Sequence, residues 1–143
     1  MRILILCTGN SCRSQMAEAF LTAYDESFDV YSAGTNPAAE VNPRTIQVMN
    51  ELGFDMSGHY PKSVDLFTYD DFDYVITVCG GAKETCPAFQ GFVEHHLHVG
   101  FDDPAEVTGT EEEVLKVYRR VRDEIKEKIV KFVEFEDEVE EES

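Results

Sequence analysis

At 143 residues, 43% of them hydrophobic, the chain has the size and composition of one folded domain with a packed core rather than a disordered segment. Its formal charge of -17, from 12 basic and 29 acidic residues, excludes a nucleic-acid surface, which needs clustered Lys and Arg. No run approaches the roughly 20 apolar residues of a membrane span, and the stretch before Cys7 is too short for a signal peptide. A cytoplasmic protein with reduced thiols is expected, in which four cysteines point to catalysis, redox chemistry or metal binding.

In chain order, RILIL (2–6) is an apolar run suited to a buried parallel strand. SQMAEAFLTAY follows it, with Met16, Phe20 and Tyr24 at spacing four and Ala17 and Leu21 beside them. That is one helix face, with Ser14 as its N-cap. FDVYSAG (28–34) reads as a second strand closing on Gly34. Pro43 opens a helix whose face carries Ile46, Met49 and Asn50 and whose stop is Gly53. FDYVITVC (72–79) is the clearest strand, and EHHLHV (94–99) a fourth. From Thr110, with Glu113 completing a capping box, a long amphipathic helix carries Val114, Tyr118, Val121, Ile125, Ile129 and Phe132.

Strands alternating with helices predict a single α/β domain, a four-stranded parallel sheet flanked by helices on both faces. The catalytic domain is expected over residues 1–135. Residues 136–143 form an acidic tail, frayed or disordered and kept soluble by its charge.

In open α/β sheets, ligands bind beyond the carboxyl ends of the strands. Cys7 ends the first strand, Cys79 the third, and FDDPA (101–105) follows the fourth, so three distant segments meet at one crevice. Within CTGNSCRS (7–14), Gly9 permits a turn, and the N–H groups of Thr8, Gly9, Asn10, Ser11 and Cys12 up to the helix start at Ser14 can converge on an anion. Arg13 adds a planar fork of donors matched to a tetrahedral oxyanion. The same cradle lowers the pKa of Cys7 toward the thiolate and makes it a nucleophile. A buried structural cysteine is the plainer alternative, and the Cys-x5-Arg-Ser loop between strand and helix speaks against it. The acidic chain binds this anion against its own field, but a Debye length of about 8 Å leaves close donors in control.

CTGNSCRSQMAE, followed by VYSAG and later GFDDPA and RRVRDEI, resembles the thioredoxin-coupled arsenate reductases, which share the low-molecular-weight tyrosine phosphatase fold. The resemblance runs from residue 2 to about residue 133 and implies arsenate as substrate, thioredoxin as electron donor and no dissociable cofactor. It also implies that Asp103, before Pro104, is the general acid; without it, Asp102 and Asp103 are not separable. The phosphatases of this fold carry aromatic residues after the Asp-Pro, where Ala105 and Glu106 stand here.

The loop alone does not choose between phosphate and arsenate. The paired thiols do: a reductase needs a second thiol to attack the first sulfur, and Cys79 is placed for that. Were the segment to Cys86 helical, seven residues would set the two Cα atoms about 10 Å apart. A disulfide tolerates about 7 Å. A Cys79–Cys86 bridge therefore requires local refolding, for which Gly80, Gly81 and Pro87 provide mobility. The expected relay is Cys7 taking the arsenic, Cys79 attacking Cys7 and Cys86 attacking Cys79; the resemblance implies the same triple displacement. Ser14 is expected to donate to the Cys7 thiolate, and the sulfur of Cys12 has no role.

The alternatives are a low-molecular-weight tyrosine phosphatase working through a Cys7 phospho-enzyme and a thiol or histidine metal sensor. Zinc sites favour closer cysteine spacing, and on a strand His96 and His98 share a face with His95 opposite, which reads as a surface strand. Some reductases of the family hold potassium behind the loop, with ligands that would correspond to Asn10, Glu18, Ser32 and an acidic residue. Lys62 stands at the last of these positions and its ammonium could replace the ion, so no bound metal is expected.

Overall fold

The apolar run that opens the chain forms β1 (Arg2–Cys7), with Ile3 to Leu6 wholly buried. Such burial on both faces belongs to a central strand, and β1 lies between β2 (Asp29–Gly34) and β3 (Phe72–Thr77), with β4 (Val93–His98) outside β3. All pairings are parallel, and the register sets Cys7 opposite Gly34 and Leu6 opposite Thr77. The computed structural model describes residues 1–81 and 86–142.

Among the described residues, three helices complete the order: α1 (Arg13–Tyr24) after β1, α2 (Pro43–Asn50) after β2 and α3 (Glu111–Glu142) at the end. Helices α1 and α2 both pack against α3, and α1 also against β1 and β2. Val114, Tyr118, Val121, Ile125 and Ile129 of α3 are buried, as their spacing predicted, and Phe132 meets Tyr74 edge-on at 5.1 Å. The opposite face of the sheet, carrying Leu4, Tyr31 and Val75, is met by Phe67 at 5.5 Å from Tyr31 and by Cys86, which shares a pocket with Val75. This is the expected single α/β domain with a four-stranded parallel sheet.

Three local expectations change. Helix α1 begins at Arg13 with Cys12 in the N-cap position and no side-chain cap, so Ser14 lies inside the first turn, fully buried. Tyr24 falls in the fraying last turn and is 42% exposed, so Met16, Ala17, Phe20 and Leu21 make the core face. In α2 the buried residues are Thr45, Val48 and Met49, whereas Asn50 is exposed, because the helix rolls its face toward α3. The stops and caps behave as read: Gly53 has φ +86°, and the Thr110 hydroxyl accepts from the Glu113 amide at 3.2 Å. Strand β3 ends at Thr77, and Val78 and Cys79 continue into the turn beyond it. Among the described residues, no helix is long and apolar enough to cross a membrane.

Candidate active site

Beyond the carboxyl end of β1, the backbone from Cys7 to Cys12 wraps into a ring. Its carbonyls are all engaged on the outside. Those of Cys7, Thr8, Gly9 and Ser11 accept from the amides of Thr35, Asn36, Ala38 and Asn42, and that of Asn10 accepts from Gln15 Nε2. In a trans peptide the next residue's N–H points opposite to the carbonyl. Tying five carbonyls outward therefore turns the amides of Thr8, Gly9, Asn10, Ser11 and Cys12 inward, at the start of the twelve-residue helix α1.

The residue that takes the left-handed conformation is Asn10, with φ +51°, and not Gly9. Asn10 is fully buried and held by its own side chain: Nδ2 donates to Ser14 Oγ at 2.8 Å, and Oδ1 accepts from the Lys62 amide at 2.9 Å. Asparagine tolerates this region better than bulkier residues do. The glycine the loop demands is Gly34, where a Cβ would lie 2.4 Å from the Thr8 carbonyl oxygen.

Behind the loop, Gln15 connects Asn10 to His59, whose Nδ1 lies 2.9 Å from both Gln15 Oε1 and Glu18 Oε2. Glu18 is thus a loop-bracing carboxylate. The residues at the family's potassium position do not fit that ion: both ends of the Asn10 amide are used, Glu18 faces His59, and Lys62 brings its own charge. The Lys62 ammonium donates to the Tyr60 carbonyl at 2.8 Å and lies 4.6 Å from the Tyr60 ring centre. Burial lowers its pKa while Glu18 pulls the other way. The Ser32 hydroxyl is buried without a partner.

Above the ring lies a cleft of about 380 Å³ lined by Thr8, Arg13, Cys79, Gly80, Gly81, Asp103 and Glu106. Arg13, the first residue of α1, is 11% exposed; it donates to the Phe101 carbonyl at 3.1 Å and faces Asp103 Oδ2 at 3.4 Å, and its Nε is buried without a partner. Asp103 caps the short 3-10 turn Pro104–Glu106 by accepting from the Ala105 amide at 3.0 Å, while Asp102 turns outward to Arg120 at 3.2 Å. Geometry thus separates two neighbours that composition could not.

Cys7 is 3% exposed and Cys79 5%. The Cys79 side chain neighbours the Cys7 thiol, and Thr8 Oγ1 lies 3.3 Å from Cys79 Sγ. The expected depression of the Cys7 pKa is not what this arrangement produces. The Cys79 contact first, then burial, holds the Cys7 thiol above its ordinary range, while Arg13 and the Thr8 amide pull it down. The sequence showed the cation and the helix start but not a second thiol pressed against the first. Cys12 is sealed into the core and pushed up to about 12, chiefly by burial. None of the four cysteines is in a disulfide among the described residues.

Cys86 lies outside the cleft, in a separate pocket of about 180 Å³ with Val75, Thr77, His96 and His98. Residues 82–85 of the connecting segment lie outside the described residues. On β4 His98 Nδ1 bonds Thr77 Oγ1 at 2.8 Å, and His95 stacks on Tyr74 at 4.8 Å, on the other face. Among the described residues, no three His, Cys, Asp or Glu side chains are grouped to hold a metal ion. The reading from sequence missed the Phe101 carbonyl, the Gln15–His59 brace and Glu106 as part of the cleft; for Glu106 the signal was its position two residues after Pro104.

The chain as a whole is similar to known proteins. Residues 2–143 match the family model of the low molecular weight phosphotyrosine protein phosphatases. Over 133 residues the chain is 47% identical to the arsenate reductase of Halalkalibacterium halodurans and 46% identical to that of Shouchella clausii, covering 92% of this chain and 94% of each relative. The chain belongs to the arsenate reductases of the low molecular weight phosphotyrosine protein phosphatase family. A solved arsenate reductase in the phosphate binding state superposes with TM-score 0.78 at 32% identity, over 92% of this chain and 95% of that one. This family's fold explains why Cys7, Arg13 and Asp103 meet at one end of the sheet.

Proposed function

We propose that the protein reduces arsenate to arsenite by a relay through Cys7, Cys79 and Cys86, and that thioredoxin re-reduces the resulting disulfide. The observation that carries this reading is that Cys79, which lines the cleft with Arg13 and Asp103, neighbours the Cys7 thiol at the foot of the loop. A phosphatase needs one thiol there and a water; a reductase needs two thiols within reach. The phosphate-bound relative supports a tetrahedral oxyanion as the ligand of such a ring.

Arsenate enters on the amides of residues 8–12 and on Arg13, whose buried Nε acquires a partner. As the pentavalent centre comes near, the Cys7 proton passes by way of the bound oxyanion to Asp103 and the sulfur attacks arsenic. An oxygen leaves as water with a proton from Asp103, and Ser14, its oxygen already held by Asn10, donates to the Cys7 sulfur before attack. The Cys79 thiolate then attacks Cys7 Sγ. The sulfur–arsenic bond breaks with its electron pair remaining on arsenic, which leaves as arsenite, and a Cys7–Cys79 disulfide forms. Cys86 attacks Cys79, frees Cys7 as a thiolate and leaves a Cys79–Cys86 disulfide for the external dithiol.

The test is a coupled assay with thioredoxin, its reductase and arsenate. Cys79→Ser should abolish multiple-turnover reduction and leave any aryl-phosphate hydrolysis intact. Rapid hydrolysis with no arsenate reduction in the unaltered protein would make it a phosphatase instead.

A further inference from the structure

Arg13 is the one cation among the described residues lining the cleft, and it shares that cleft with two carboxylates. Asp103 occupies it directly at 3.4 Å. Glu106 lines the same cleft and has no role in the relay. Its position is set by local backbone: Pro104 stiffens the turn, the Ala105 amide is held by Asp103 Oδ1, and the Glu106 amide donates to the Asp103 carbonyl at 3.3 Å. The ring's amides are neutral dipoles. Among the described residues, the charged groups at this opening are therefore one guanidinium and two carboxylates, in a chain of net charge -17.

We propose that Glu106 tunes the affinity of the cleft for anions: its carboxylate repels doubly charged tetrahedral oxyanions at the mouth and keeps their affinity low. Inorganic phosphate has the shape and charge of arsenate, and a ring that held such dianions tightly would stay filled by phosphate. A fixed like charge at the entrance weakens the binding of both. The neutral product, arsenous acid, does not feel this repulsion. Glu106 touches neither sulfur nor arsenic in the proposed chemistry, so its effect belongs in binding and not in the chemical step. The biological benefit rests on the arsenate reductase reading above; the electrostatic claim does not.

The experiment is titration calorimetry with inorganic phosphate on the reduced protein, comparing the unaltered chain with Glu106→Gln and Glu106→Asp at low and high ionic strength. Glu106 is exposed, so the substitutions leave the core untouched. At low salt the Gln variant should bind phosphate roughly five-fold more tightly and the Asp variant close to the unaltered affinity. The gap should fall below about two-fold at high salt, where the charge is screened. With arsenate, the Gln variant should show the same fall in KM at an unchanged kcat. Equal phosphate affinities, a gap that ignores salt, or no phosphate binding by either protein would overturn the proposal. Phosphate titration requires no turnover, so a chain that reduces no arsenate yet shows the salt-dependent gap would refute the reductase reading and leave this inference standing.

Discussion

Cys7, the nucleophile of the proposed relay, has a second thiol beside it, and that pairing has measurable consequences. Since the Cys79 contact heads the causes that raise the Cys7 pKa, removing it should move the ionisation of Cys7 downward. In Cys79→Ala, thiolate absorbance followed against pH should rise at lower pH than in the unaltered protein; a midpoint that stays put or climbs would mean that burial alone sets it. A raised pKa means that Cys7 is neutral below the shifted midpoint and becomes a thiolate only above it. Asp103 and Asp102 offer a second contrast at this scale. Asp103→Asn should cost roughly 10²–10³ in kcat for arsenate, as the loss of a positioned general acid does. Asp102→Asn, which loses only a surface pair with Arg120, should stay within about two-fold. The presence of Cys7, Arg13 and Asp103 at one site was legible because their segments all leave the same end of the sheet. The direction of the Cys7 shift was not, since it depends on which side chain fills the space beside it after packing.

At the scale of elements, the anion ring is a property of the β1–α1 junction together with the residues that hold its carbonyls outward. Asn10 is its keystone, in a left-handed conformation and hydrogen-bonded to Ser14 and Lys62. Asn10→Ala removes both contacts and leaves a strained non-glycine residue, which should destabilise the protein by about 2–3 kcal/mol in urea unfolding and weaken phosphate binding in parallel. Loss of stability without loss of anion affinity would show that the ring does not depend on this residue. Thr110→Ala, by contrast, should cost about 1 kcal/mol through the lost helix cap and leave anion binding unchanged. The strands and the long helix were readable because apolar period and capping residues are local signals: α3 buries the residues its spacing named. The start of α1 was misread by one residue because Ser14 has the chemistry of a cap yet is used, buried, to hold Asn10. A left-handed Asn next to a glycine is likewise invisible to a rule that assigns such turns to glycine.

For the whole molecule, a parallel sheet with its loops gathered at one end gives Cys7 and Cys79 a shared cleft, while Cys86 sits apart in a pocket over β3 and β4. The relay therefore requires a conformational step between the second and third displacements. Cys86→Ser should stop arsenate reduction after one turnover and trap a Cys7–Cys79 disulfide. The segment after Cys79 must leave its place beside the loop, where a Cβ on Gly81 would lie only 2.8 Å from Thr8 Oγ1. The most direct test of the account is mass spectrometric mapping of disulfides after a single arsenate turnover in the absence of reductant. The account predicts one equivalent of arsenite and a Cys79–Cys86 disulfide with Cys7 free. Arsenite released with Cys86 unmodified, or no disulfide at all, would contradict it.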